Sequence, residues 1–193
     1  MEQSAKKTGK TYEMDMCSGP LFPKIVVFAV PLILSGILQL LFNAADIIVV
    51  GHFAGRESLA AVGSTTALIN LMINVFVGLS IGANVLVAQY SGAKKLKDLE
   101  ETVHTAMMLA LAGGFFLIFV GVFFSGPMLG LMGTPDDVLP LAALYLKIYF
   151  IGMPATLTYN FGAAILRAVG DTRRPLYFLL FAGAVNVVLN LVF

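Results

Sequence analysis

Of the 193 residues, 59% are apolar and only 12% are charged, about half the charge fraction of a soluble globular domain. A water-soluble core of this length cannot absorb so much apolar surface, which leaves a lipid bilayer as the solvent. The formal net charge of +1 gives no reason to expect a nucleic-acid partner.

Residues 1–24 come first and mix Lys6, Lys7 and Lys10 with Glu2, Glu13 and Asp15. Cys17 is the single cysteine, so no intrachain disulfide can form, and a free, unreactive thiol is expected. No small-residue cleavage site closes a short apolar run here, and the first span is read as a retained helix, not a signal peptide. Five stretches of membrane-spanning length follow, at about 25–50, 63–87, 103–124, 139–165 and 176–193. The expected fold is therefore all-α, a polytopic transmembrane helix bundle of about five helices.

The connections between spans carry the basic residues unevenly. Four Lys precede span one (Lys6, Lys7, Lys10, Lys24), three lie between spans two and three (Lys94, Lys95, Lys97), and three Arg lie between four and five (Arg167, Arg173, Arg174). The opposite side has only Arg56, with Asp136 and Asp137 in its second connection. Ten against one, on alternating sides, predicts a cytoplasmic N-terminus by the positive-inside rule. The last run ends at Asn190-Leu191-Val192-Phe193 without a polar flank and, counted from Leu176, reaches about 27 Å at 1.5 Å per residue. The expectation is a chain cut inside or at the end of a helix, with partner surfaces beyond residue 193. No internal repeat is visible within it.

Asp46 is the only carboxylate inside a span, where an ionised group costs about 2.5–3.5 kcal/mol on insertion scales unless paired, hydrated or protonated. Gln39, two turns earlier, and Asn43, three residues earlier, share one side of span one with it. On span five, Asn186 and Asn190 are four apart and face one way, in the half of the membrane where Asp46 lies. A carboxylate facing two carboxamides can bind a proton, or Na⁺ through oxygen ligands. The plainer alternatives are that Asp46 ends its helix at the outer interface and that the Asn pair only joins helices.

Asn70, Asn74 and Asn84 on span two, with Tyr145, Thr156, Thr158 and Asn160 on span four, suggest helices around a partly wet cavity. Lys147 can snorkel to the interface. Pro31 removes a backbone donor inside span one and could act as a hinge. Gly78 and Gly82 form a GxxxG pair that permits close helix approach. In the junction Gly170-Asp171-Thr172, Gly170 can end span four, and Asp171 or Thr172 can cap span five ahead of Pro175. His52 and His104 lack ligand partners at metal-binding spacing, and no nucleophile elbow or phosphate loop appears, so no enzyme is expected.

Several segments together resemble the MATE (multidrug and toxic compound extrusion) family. They are Leu41-Phe42-Asn43-Ala44-Ala45-Asp46 with Gly51 and Gly55, Leu59-Ala60-Ala61-Val62-Gly63, the run GLSIGANVLVAQYSG from Gly78 to Gly92, and Arg167 to Pro175 with Asn186-Val187-Val188-Leu189-Asn190. The resemblance implies the N-lobe of a twelve-helix antiporter of two lobes in the plasma membrane, the inner membrane in a bacterium. Such a transporter exchanges H⁺ or Na⁺ for organic cations or drugs. It also implies that Asp46 is the coupling carboxylate with Asn186 and Asn190 beside it, that Gln39, Tyr145 and Asn160 line the cavity, and that span one bends at Pro31. The sixth helix and second lobe are expected to be absent. One departure is Asn190, where some members carry Asp, which removes a charge that tight Na⁺ binding would use. The alternatives are a lipid-linked oligosaccharide flippase, disfavoured by the lack of Arg and Lys within the spans beyond Lys147, and an inactive truncated membrane protein or scaffold.

Overall fold

The computed structural model describes Met14, residues 19–53 and residues 55–192, the side chains of the last three excepted. The expectations for Cys17, for residues 1–13 and for the Asn190 side chain lie outside the described residues. The chain is all-helical as expected, with α1 Leu21–Phe53, α2 Gly55–Gly92, α3 Leu96–Leu131, α4 Leu139–Ile151, α5 Met153–Ala168 and α6 Arg173–Val192. Helices α1, α2 and α3 are long and apolar enough to cross a bilayer, and α4 with α5 makes a fourth candidate if taken as one broken span. The 20 residues of α6 occupy the place of the fifth expected span. The helices outrun the apolar stretches that mark them, α3 most clearly, because intrahelical hydrogen bonding continues past the edge of the hydrocarbon.

Hydropathy marks residues 139–165 as one span, yet two helices stand there, meeting at Gly152 with a bend of 49°. Pro154 explains the break. It has no N–H to give the Phe150 carbonyl, and its ring crowds that oxygen. The turn closes instead with the Gly152 N–H donating to the Tyr149 carbonyl at 3.1 Å. The bend seats Pro154 against Gly114 of α3, where a Cβ would strike the proline backbone.

Among the described residues the buried apolar core lies between Ala61 and Ala164, on α2 to α5 and the α3–α4 connection. Without a hydrophobic drive between helices in lipid, close fit must hold them together, and small residues supply it. Gly121 receives the Phe150 ring and Gly113 the Phe76 ring. The expected GxxxG pair does not take part, since a Cβ at Gly78 or Gly82 would meet nothing within 4 Å. Those two glycines lie on an exposed face of α2, and the close approaches belong to α3.

The α5–α6 turn follows the expected capping. Gly170 is left-handed (φ +88°), its N–H donates to the Arg167 carbonyl at 3.1 Å, and the Asp171 N–H donates to the Leu166 carbonyl at 2.9 Å. These two bonds close α5 in a Schellman motif. Of the two candidates for capping the next helix, Asp171 does so: its Oδ1 accepts from the Arg173 and Arg174 N–H groups, both at 3.1 Å. The carboxylate is fully buried, and its Oδ2 forms an ion pair with Arg174 Nε at 3.1 Å whose angles are not those of a hydrogen bond.

Helix α1 packs on α6 and α2, and α6 packs on α1 and α5. Two close approaches define how α1 and α6 run. Met14, ahead of α1, meets Gly170, ahead of α6, and Phe42 well into α1 fills the space over Gly183 in α6. The contacts ascend together, so the pair is parallel.

Candidate functional site

Phe42 against Gly183 sets the level of the polar residues beyond it. Asp46 lies four residues past Phe42 on the same face of α1, and Asn186 lies three past Gly183 on the same face of α6. At 1.5 Å per residue they stand about 6 and 4.5 Å beyond the contact, at nearly one height on the faces that meet. Both side chains are half-buried, and neither is without a partner.

On its other side Asp46 looks toward α4. The carboxylate is close enough to the Tyr145 hydroxyl to act on it electrostatically, yet α1 and α4 do not pack against each other among the described residues. A gap therefore separates them. It opens beside a mostly apolar cavity of about 270 Å³ bounded by Val50 of α1, Ser58 and Val62 of α2, and Leu141, Tyr145 and Ile148 of α4. Tyr145 is held from behind by Tyr149, with ring centroids 6.2 Å apart. The arrangement is one carboxylate and one carboxamide at nearly one height, with one phenol that lines the apolar cavity beside them. It can hold a proton on Asp46, or a monovalent cation on oxygen ligands, next to space for an apolar molecule.

The remaining expected residues separate. Gln39 and Asn43 are exposed on α1, whereas Phe42, Ala45 and Asp46 are half-buried. Asn160 is half-buried on α5. No hydrogen bond joins these three to Asp46 among the described residues. On α2, Asn70 and Asn74 are exposed, and Asn84 donates through Nδ2 to the Ala164 carbonyl at 2.6 Å, tying α2 to α5. Thr156 and Thr158 donate to the Gly152 and Pro154 carbonyls on the preceding turn, so neither presents its hydroxyl hydrogen to a cavity. Pro31 is the buried residue of α1, which continues through it as one helix, and the Ser35 hydroxyl donates to its carbonyl at 2.8 Å. Among the described residues no group of three or more His, Cys, Asp or Glu could hold a metal. Sequence reasoning missed Ser58 and Val50, whose place beside Tyr145 carries no local signal.

A family model described as MatE matches residues 31–192, which takes in α1 from Pro31, the other five helices and each of these side chains. The chain belongs to the MATE family. That family is one of transporters, not enzymes, in keeping with the absence of enzyme motifs from the sequence. Two relatives from Bacillus subtilis (strain 168) share its pattern. The "Probable multidrug resistance protein YoeA" is 34% identical over 84% of this chain and 35% of its own length, and the "Probable multidrug resistance protein YpnP" is 30% identical over 91% and 39%. The chain thus spans between a third and two fifths of the length of these relatives. Among solved structures, a MOP superfamily transporter from Pyrococcus furiosus superposes with a TM-score of 0.85 at 26% identity, over 96% of this chain and 40% of that one. A MATE "in the bent conformation" superposes with a TM-score of 0.81 at 27% identity, over 89% and 38%. These likenesses support the MATE fold along nearly the whole chain.

Proposed function

We propose that this MATE chain supplies the coupling half of a secondary active exporter that exchanges H⁺ or Na⁺ for organic cations or drugs. A second lobe beyond residue 193 completes the transport path, and the N-terminus faces the cytoplasm. The observation that carries this reading is the place of Asp46, half-buried within a span, level with Asn186 and across a gap from Tyr145. An ionised carboxylate there attracts a cation in the adjoining cavity. Protonation, or Na⁺ bound by Asp46 with the amides of Asn186 and Asn190, removes that attraction and changes the contact between α1 and α6. The "multidrug resistance" relatives support the drug substrate, and the existence of a MATE structure described as bent supports a conformational change of this kind.

Pro31 is the place at which α1 gives way in this scheme. Its missing N–H leaves the Val27 carbonyl without an intrahelical partner, so bending there breaks no backbone hydrogen bond. The decisive experiment places Asp46→Asn in a full-length transporter carrying this segment, reconstituted in liposomes with a fluorescent organic cation inside and a proton or sodium gradient imposed. Gradient-driven efflux is expected to disappear while insertion and thermal stability stay as in the parent. Efflux at the parent rate would overturn the assignment of Asp46.

A further inference from the structure

A second cavity lies outside this site. A groove between helices α2 and α3, floored by α5, holds about 400 Å³. Its floor is apolar: Leu79, Ala83 and Leu86 from α2, Ala106 and Leu109 from α3, and Phe161 from α5 beneath. Its open end is polar, with Tyr90 on one side and Asp98 and Glu101 on the other. Thr102 and Thr105 also border it, but their hydroxyls donate to the Asp98 and Glu101 carbonyls of their own helix, at 2.7 and 2.8 Å. Below the rim the groove therefore offers little but hydrocarbon.

The lining runs from Leu79 to Tyr90 on one helix and from Asp98 to Leu109 on the other, about 16 Å on each at 1.5 Å per residue. The apolar floor within it, Leu79 to Leu86 on α2, is about 10 Å long, room for the upper part of one acyl chain in a leaflet about 15 Å deep. The polar end sits at the short α2–α3 connection, which carries Lys94 and Lys95, with Lys97 in the first turn of α3. Lys95 and Asp98 stand 4.0 Å apart, as do Lys97 and Glu101, all well exposed. Such pairs contribute little to stability and exchange readily for another partner.

We propose that this groove binds a single phospholipid with a zwitterionic, primary-amine headgroup, of the phosphatidylethanolamine type. One acyl chain lies along the floor from Leu86 to Phe161, the ammonium group donates to Asp98 and Glu101, and the phosphate takes Lys95 and Lys97. The rim selects the headgroup because it carries both signs. An anionic lipid would bring its charge against the two carboxylates, and a bare organic cation would meet the lysines. A choline headgroup has the positive charge but no N–H to donate, so it forfeits the charge-assisted hydrogen bonds. None of these residues belongs to the Asp46 site, and the proposal stands whether or not the chain transports.

Native mass spectrometry of the purified, delipidated chain, titrated separately with phosphatidylethanolamine, phosphatidylcholine and phosphatidylglycerol of matched acyl chains, tests it. Phosphatidylethanolamine is expected to bind about tenfold more tightly than the other two, the effect of roughly one charge-assisted hydrogen bond. Asp98→Asn with Glu101→Gln should bring it down to the level of phosphatidylcholine, and Ala83→Phe, which fills the floor, should remove one bound lipid of any headgroup. Equal affinity for all three lipids in the unaltered chain, or an undiminished preference in the Asp98→Asn, Glu101→Gln variant, overturns the proposal. Should Ala83→Phe fail to fold, the charge variant decides alone, since both of its side chains are solvent-exposed.

Discussion

Helices α2 to α5 and the α1–α6 pair are built on different terms. The first group encloses the entire apolar core and is locked by glycine contacts at Gly113, Gly114 and Gly121. The pair presents large apolar side chains outward along most of its length, Leu40 at 73% and Phe181 at 74% exposure among them, and Pro31 is the buried residue of α1. In water such exposure would be ruinous. In lipid it costs nothing, because acyl chains are as apolar as leucine, and what distinguishes the two regions is fit. A tightly fitted group cannot shift without losing many contacts at once, whereas a pair that meets its neighbours along few contacts can tilt as a unit. The side chain proposed to respond to the coupling ion, Asp46, belongs to the looser region, and its counterpart Tyr145 belongs to the tight one.

This contrast can be broken most readily at its strongest point. Phe150→Ala empties the space against Gly121 and is expected to destabilise the chain by about 3–5 kcal/mol, read from unfolding in detergent. Leu40→Ala on α1 should change the same curve by no more than about 0.5 kcal/mol. Equal losses from both would show that the two regions are not different.

Gly183→Leu attacks the α1–α6 contact and leaves the core alone. Overpacking of this kind costs about 1–3 kcal/mol, and it should act on the pair before the rest. The sensitive measurement is oxidative cross-linking of cysteines placed at Asp46 and Asn186, with Cys17 replaced by Ser. Cross-linking should be efficient with Gly183 present and fall sharply with Leu there. A pair that cross-links equally well in both backgrounds would mean that α1 and α6 are not registered through Phe42 and Gly183.

Asp171→Ala removes the cap of α6 and the partner of Arg174, and is expected to cost about 1–2 kcal/mol, with fraying at the start of α6 seen by hydrogen exchange at Arg173 and Arg174. Asn84→Ala deletes one hydrogen bond between α2 and α5, for which membrane helices give about 0.6 kcal/mol. A change above 2 kcal/mol in its melting curve would make that bond a principal support of the core, not one contact among many.

Much of the fold was legible in the residues themselves. Hydropathy found every region that became a helix, the Gly170-Asp171 turn announced its capping, and Asp46 stood out as the lone carboxylate in a span. The break at Gly152 could have been read from Pro154, but prolines in membrane helices bend them by amounts that neighbouring helices decide. The glycines were misread for a related reason. Gly78 and Gly82 have the spacing of a packing motif, yet a Cβ at either would meet none of the described residues within 4 Å, while Gly114 and Gly121, which have no such spacing, receive Pro154 and Phe150.

Sequence alone determined that this MATE chain is a bundle of membrane helices and singled out Asp46 as the acid within its apolar runs, because hydropathy and charge are properties of each residue counted along the chain. Only the tertiary structure decided which polar residues meet. Asn84 became a brace between α2 and α5, while Gln39 and Asn43 turned outward, because a side chain's partner depends on the rotation and height of a helix distant in sequence, and periodicity fixes neither.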